Sequence, residues 1–154
     1  MLKVGVVGCG HLGKIHTKLL SQSENYKLIG IYDKDNEESI RVSNEFKCTS
    51  FESFDSLLDS VDVIDIVAPT PFHFNYAKQA INKNKHVFIE KPVCTTSKES
   101  EELIKLGDLK KVKIQVGHVE RFNPAFTKVE SEISKPMFIE SHRLAKFNPR
   151  GTDV

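Results

Sequence analysis

Three glycines, Gly8, Gly10 and Gly13, lie between a short apolar run and the start of a helical pattern, in the spacing GxGxxG. In that setting each has its own physical task. Gly8 permits a tight turn, Gly10 lets the backbone approach a diphosphate, and Gly13 allows the helix to pack closely. The free N–H groups and positive dipole end of the helix, with His11 and Leu12 in its first turn, would face the phosphate charge. Asp33 closes the next apolar run about 20 residues later, where a carboxylate accepts from the hydroxyls of an adenosine ribose. The combination points to a dinucleotide. NAD is favoured over NADP, because a 2′-phosphate would meet the charge of Asp33, with Lys34 beside it as partial compensation. Flavin proteins use the same fingerprint, so FAD stays open.

A second group, Glu90, Lys91 and Pro92, follows the apolar run at residues 86–89. If that run is a parallel strand, the three residues stand at its carboxyl end, in the crevice where such sheets bind ligands. The surrounding pattern agrees with this. Apolar runs at residues 2–7, 27–32, 61–67, 86–89 and 112–116 are short and rich in Val and Ile, with a brief extra segment at 48–51. They alternate with helical patterns, which is the mark of βαβ units. The expected fold is α/β, a doubly wound parallel sheet.

The helical patterns place Leu12, Ile15, Leu19 and Leu20 on one buried face and Phe72, Tyr76, Ala77, Ala80 and Ile81 on another. The second helix should end near Asn84, a residue that tolerates the left-handed conformation. A third begins with a capping box, Thr96 and Glu99, buries Leu103, Ile104 and Leu106, and should end at Gly107. From Val119 the pattern changes. Phe122, Phe126, Val129 and Ile133 suggest a helix from Pro124, and residues 137–147 read as a strand. A lone strand leaves its N–H and C=O groups unpaired, so residues 119–154 are expected to be the connecting helix and first strand of a second α/β domain, after a dinucleotide-binding domain at 1–118.

Composition narrows the partners. Lys and Arg number 22 against 21 Asp and Glu, which leaves no net field to draw nucleic acid or an anionic membrane. The N-terminal apolar run is too short for a membrane span and is broken by glycine. Cys9, Cys48 and Cys94 form no CxxC pair, the six histidines are dispersed, and no metal is expected. Scattered thiols suit a reducing, cytoplasmic compartment. Cys9 is read as a small side chain that fits the loop.

The stretch Lys85-His86-Val87-Phe88-Ile89-Glu90-Lys91-Pro92 resembles the "GKHVxxEKP" signature of the Gfo/Idh/MocA oxidoreductases. Ala68-Pro69-Thr70-Pro71-Phe72-His73 is similar to that family's "TPxxxH" stretch, and Gly117-His118-Val119-Glu120-Arg121-Phe122-Asn123-Pro124 to its "GhxxRFnP" segment. Ala68 stands where the family usually has Thr, and Asn84 where it usually has Gly. The resemblance implies that Ala68, Pro69 and His73 lie beside the dinucleotide, with no acid/base role for His73, for which packing or hydrogen bonding behind the adenine side is an equal reading. Glu90 would lie near the nicotinamide ribose, and Pro92 would fix the turn through a cis bond. Lys91 would be the catalytic residue, holding the reacting hydroxyl of a sugar-type substrate and stabilising its oxygen during hydride transfer. Arg121 and Asn123 would contact substrate, although an ordinary role at a helix start is an equal reading. The family's catalytic histidine belongs to a second domain, so no residue here takes that part, and this chain should bind dinucleotide but turn over little. The full-length form is expected to be a homo-oligomer. A non-catalytic dinucleotide-binding sensor, or a homodimer that swaps terminal segments, are the other readings.

Overall fold

The computed structural model describes residues 1–142 and 144, and the chain divides into two units, Met1–Gly117 and His118–Val154. In the first unit the order is β1 (Leu2–Val7), α1 (His11–Ser21), β2 (Tyr26–Tyr32), α2 (Asn36–Phe46), β3 (Thr49–Ser50), α3 (Phe54–Ser60), β4 (Val63–Ile66), α4 (His73–Asn82), β5 (His86–Glu90), α5 (Ser97–Lys110) and β6 (Ile114–Gly117). The strands form one parallel sheet in the order β3-β2-β1-β4-β5-β6. The chain therefore winds outward from β1 in one direction and from β4 in the other. The crevice between these two strands, at their carboxyl ends, is the switch point of a doubly wound sheet.

Alternation along the strands divides the two faces. Ile64 and Ile66 of β4 and Val87 and Ile89 of β5 enter the main core with Leu57, Leu58, Ala77, Ala80, Ile81 and Leu103 from α3, α4 and α5. On the opposite face, Val6, Cys9, Ile31 and Val42 form a smaller core, packed by Leu20, Leu28 and Phe46. Beside it runs a groove of about 620 Å³, walled by Leu2, Val4, Leu19, Leu20, Val63 and Phe88 among others.

This division corrects the reading of α1. Gly13 and Thr17 are its buried residues, with the Thr17 hydroxyl donating to the Gly13 carbonyl at 2.7 Å. Leu12, Ile15 and Leu19 are instead 40%, 42% and 62% exposed. Small side chains bring the helix axis close to the sheet, and the larger apolar ones are turned toward the groove side or solvent. In α5, Gly107 is an interior residue against Ile114. The helix continues to Lys110 and closes at Lys111 in the left-handed region, φ 54°. Ile104, expected inside, is 60% exposed, while Leu103 is buried and Leu106 packs on the core. Asn84 does adopt the left-handed conformation, φ 57°, after α4. Phe72 lies just before α4, in a short 3-10 turn, and is 37% exposed.

The second unit contains a 3-10 turn, Val119–Phe122, and α6, Pro124–Glu130. The helix starts at the expected proline but ends before Ile133. The expected strand at residues 137–147 does not form over its described part, residues 137–142 and 144, and among the described residues of this unit no second strand offers its backbone groups. The remainder of that segment lies outside the described residues.

The capping box of α5 is complete. The Glu99 amide donates to the Thr96 hydroxyl at 3.3 Å, and the Thr96 amide donates to the Glu99 carboxylate at 3.0 Å. Thr96→Ala should lower unfolding free energy by about 1 kcal/mol in urea titration, while Thr96→Ser, which keeps the acceptor, should lose only a fraction of that.

Candidate functional site

At the end of β1 the chain turns through Gly8, at φ 101°, a conformation that side chains rarely adopt. A Cβ there would also lie 2.6 Å from the Ala68 nitrogen, so the loop after β1 is pressed against the loop after β4. A Cβ on Gly13 would overlap the Gly8 carbonyl oxygen. Only a residue without a side chain lets the first turn of α1 fold back over the loop. Gly10 is different: a Cβ there would meet nothing within 4 Å. It is the N-cap of α1, contributes no side-chain cap, and is followed by no acidic residue in the first turn. The amide end of α1 thus opens onto clear space, the electrostatic setting for an anion.

Asp33 stands one strand away. Its Oδ2 accepts from the Cys9 amide at 2.6 Å and its Oδ1 from the Asp35 amide at 2.9 Å. The carboxylate is therefore a clip on the glycine loop as well as a charge at its side. A cleft of about 240 Å³ is lined by Gly8, Asp33, Lys34, Ala68, Pro69 and Phe72, with Val7, Asp35 and Tyr76 completing its wall. The Lys34 ammonium lies over the Phe72 ring, 3.7 Å from its centroid. Cys9 is fully buried, and burial, reinforced by the Asp33 charge, pushes its thiol up to about 12. It fills space as a protonated thiol.

The residues expected near one another at the strand ends do converge in part. Gly8, Asp33, Lys34, Ala68 and Pro69 share the cleft, with His11 and Leu12 exposed on the adjoining first turn of α1. His73 does not face it. Only 1% exposed, its ring nitrogens meet the carbonyl of Pro92 at 2.9 Å and that of Ala68 at 2.6 Å. It ties the loop after β4 to the turn after β5. That turn carries Lys91, exposed, and a cis Lys91–Pro92 bond. Glu90 ends β5 and accepts from the Lys91 amide at 3.1 Å.

One part of the arrangement was not expected from the sequence. His16 of α1 meets Asp65 of β4 on the same face of the sheet, Nδ1 to Oδ2 at 2.9 Å, and lies 3.6 Å from Glu90 through Nε2 and Oε1. Asp65 is 6% exposed, and its other oxygen has no hydrogen-bond partner among the described residues. A charged residue in the middle of the strand Val-Ile-Asp-Ile was the available signal.

The family model described as an oxidoreductase family with an NAD-binding Rossmann fold, Gfo/Idh/MocA, matches residues 2–118. The chain belongs to the Gfo/Idh/MocA family. It is 34% identical to the UDP-N-acetylglucosamine 3-dehydrogenase of Acidithiobacillus ferrooxidans over 154 residues, 99% of this chain and 49% of that protein. A solved structure of that enzyme superposes with a TM-score of 0.92, covering 99% of this chain and 50% of the other. The glucose-6-phosphate 3-dehydrogenase of Bacillus subtilis is 33% identical over 100 residues, 65% of this chain and 29% of its own. The apo scyllo-inositol dehydrogenase of Lactobacillus casei is 29% identical, with a TM-score of 0.79 over 85% of this chain and 40% of that one. The chain thus spans about half the length of the first of these relatives, and less of the others.

Against the Gfo/Idh/MocA pattern the two departures have simple structural outcomes. Ala68 has no hydroxyl to offer the cleft, but its carbonyl receives the His73 contact. Asn84 turns the chain at the positive φ for which glycine usually serves. In the second unit Asn123 caps α6, its Oδ1 accepting from the Ala125 amide at 3.0 Å while Nδ2 donates to Glu120 at 2.8 Å. Arg121 sits exposed in the preceding 3-10 turn.

The two glycine environments separate in stability. Gly13→Ala forces the loop off the helix and should cost roughly 1–3 kcal/mol, the usual range for overpacking, despite alanine's better helix propensity. Gly10→Ala should leave the thermal midpoint unchanged. Equal midpoints for the two variants would contradict the close approach at Gly13.

Proposed function

We propose that this chain is the dinucleotide-binding half of an NAD-dependent dehydrogenase that moves hydride between a secondary alcohol of a sugar or nucleotide sugar and nicotinamide. The reading is carried by the uncapped start of α1, open at Gly10 and flanked by the Asp33 carboxylate. These residues fit a dinucleotide: the clear space admits a diphosphate, the amides offer donors, and the cleft beside Asp33, Ala68 and Pro69 has room for part of an adenosine. Bound there, the cofactor would supply the hydride acceptor or donor.

NAD rather than NADP follows from charge. Asp33 would repel a 2′-phosphate, and Lys34, the nearest compensating cation in sequence, rests on Phe72. Lys91 is read as the group that donates to the reacting hydroxyl and steadies negative charge on its oxygen. A group that donates to that oxygen is not also the acceptor of its proton, so the base must come from elsewhere. We read residues 119–154, with Arg121 and Asn123, as the approach to a substrate domain that supplies it, which agrees with the chain's 49% share of its relative's length. On this reading the chain alone binds NADH and turns over little. The relative of 34% identity is a UDP-N-acetylglucosamine enzyme, which favours a nucleotide-linked amino sugar. The free cysteines Cys9, Cys48 and Cys94 suit a cytoplasmic setting, and the full-length protein is taken to be a homo-oligomer.

Calorimetry with NADH and NADPH tests the binding half: the parent should prefer NADH, and Gly10→Val should lose at least about tenfold in affinity, roughly 1.4 kcal/mol, without losing its fold. Equal binding by parent and variant would defeat the reading. For the full-length protein, a panel of sugars and UDP-sugars followed by NADH absorbance should identify a substrate. Lys91→Met should then lower kcat by about a hundredfold or more, the scale for losing one transition-state donor.

A further inference from the structure

We infer that His16 is a positioning residue for the cofactor site: steadied from behind by Asp65, its ring holds the Glu90 carboxylate in place beside Lys91. The inference rests on the dinucleotide-binding reading above and adds to it a residue of α1 that lines the groove beside the sheet.

The geometry supports this from both ends of the ring. Nδ1 lies 2.9 Å from Asp65 Oδ2, and the ring packs at a tilt on Phe88, with 6.0 Å between centroids. These contacts fix the ring plane and leave Nε2 facing Glu90 Oε1 at 3.6 Å. A bare nitrogen lone pair would repel that oxygen. Attraction at both ends needs a proton on each nitrogen, an imidazolium between two carboxylates.

Glu90 is confined independently. Its Oε2 takes the Lys91 amide, and a Cβ on Gly117 would lie 2.5 Å from its Oε1. The glycine on β6 therefore leaves the space the carboxylate occupies, and the carboxylate cannot swing further that way.

Asp65 makes little sense as a device for stability. A carboxylate buried in a groove walled by Val4, Val63 and Phe88, with one oxygen lacking a hydrogen-bond partner among the described residues, is less favourable there than an apolar side chain of similar size. As an anchor for the ring it has a task.

The groups that face His16 are Asp65 from β4 and Glu90 from β5. His86 of β5 and Lys113 line the same groove further along, and α2 meets α1 through the Glu38–Lys14 pair at 2.8 Å. Burial alone would pull the ring below 6.5, but the Asp65 hydrogen bond and the charges of Asp65 and Glu90 outweigh it, and the net direction is upward. Burial raises Asp65 in turn, with His16 drawing it back. A ring whose folded value is raised contributes fully below its unfolded value near 6.5, and loses that contribution as pH rises through the folded value. NADH affinity should follow the same curve.

The test has two readouts on the intact chain. By NMR, the His16 ring-proton titration should move down in Glu90→Gln and further down in Asp65→Asn. By calorimetry, NADH affinity of the parent should fall about tenfold between about pH 6 and about pH 9, the change that accompanies one unit of coupling, and should be flat with pH in His16→Gln. A ring titration unmoved by Glu90→Gln overturns the inference, whether or not His16→Gln folds. So does a folded His16→Gln that binds like the parent at every pH, and in that case the cofactor reading survives. A parent that binds no NADH at any pH removes the cofactor reading, and this inference with it.

Discussion

The cofactor end of this molecule depends on how closely α1 approaches the loop that precedes it. The contact between Gly13 and the Gly8 carbonyl leaves no room for a side chain, and it is what turns the start of the helix, with its unpaired amides, toward the crevice between β1 and β4. Asp33 then holds the loop from the side by accepting the Cys9 amide, and the Gly8 amide donates to the Tyr32 carbonyl at 2.9 Å. The loop is fixed largely through its backbone. Side chains at the opening, such as His11 and Leu12, are left free of structural duty.

The parallel sheet was legible because its central strands are short apolar runs rich in buried Val and Ile, set between helical patterns. The glycine loop was legible because its spacing has a mechanical cause. What escaped the sequence was the helices that use small or polar residues to pack. The residues that α2 buries are Ser39, Val42 and Ser43, so its apolar periodicity is faint, and its start is set by the Asp35 cap, which accepts from the Glu37 and Glu38 amides. The α3 helix is seven residues long, too short for a period to register, although Ser53 caps it. For α1 the periodicity was real, but of its four apolar residues Leu20 packs on the core while Gly13 and Thr17 are the buried ones and Leu12, Ile15 and Leu19 are exposed.

At the site, sequence spacing located the strand-end residues but not what their side chains touch. His73, read either as lying beside the dinucleotide or as packing and hydrogen bonding behind it, has both ring nitrogens committed to backbone carbonyls on two different loops. His16 drew no attention among dispersed histidines, since its partners lie 49 residues and more along the chain. Such pairs become visible only once the sheet brings β4 and β5 alongside α1. Asn123, read as either a substrate contact or a helix start, has a definite capping role in its own unit.

The two amides that Asp33 accepts bear on how this enzyme lineage could change its coenzyme. If Asp33 selects the coenzyme as proposed, a mutation at that carboxylate would remove that discrimination and, in the same stroke, leave the Cys9 and Asp35 amides without their acceptor, slackening the glycine loop. On that proposal, selectivity and scaffold integrity rest on the same side chain. Re-engineering toward the phosphorylated coenzyme would have to begin by giving those amides substitute acceptors.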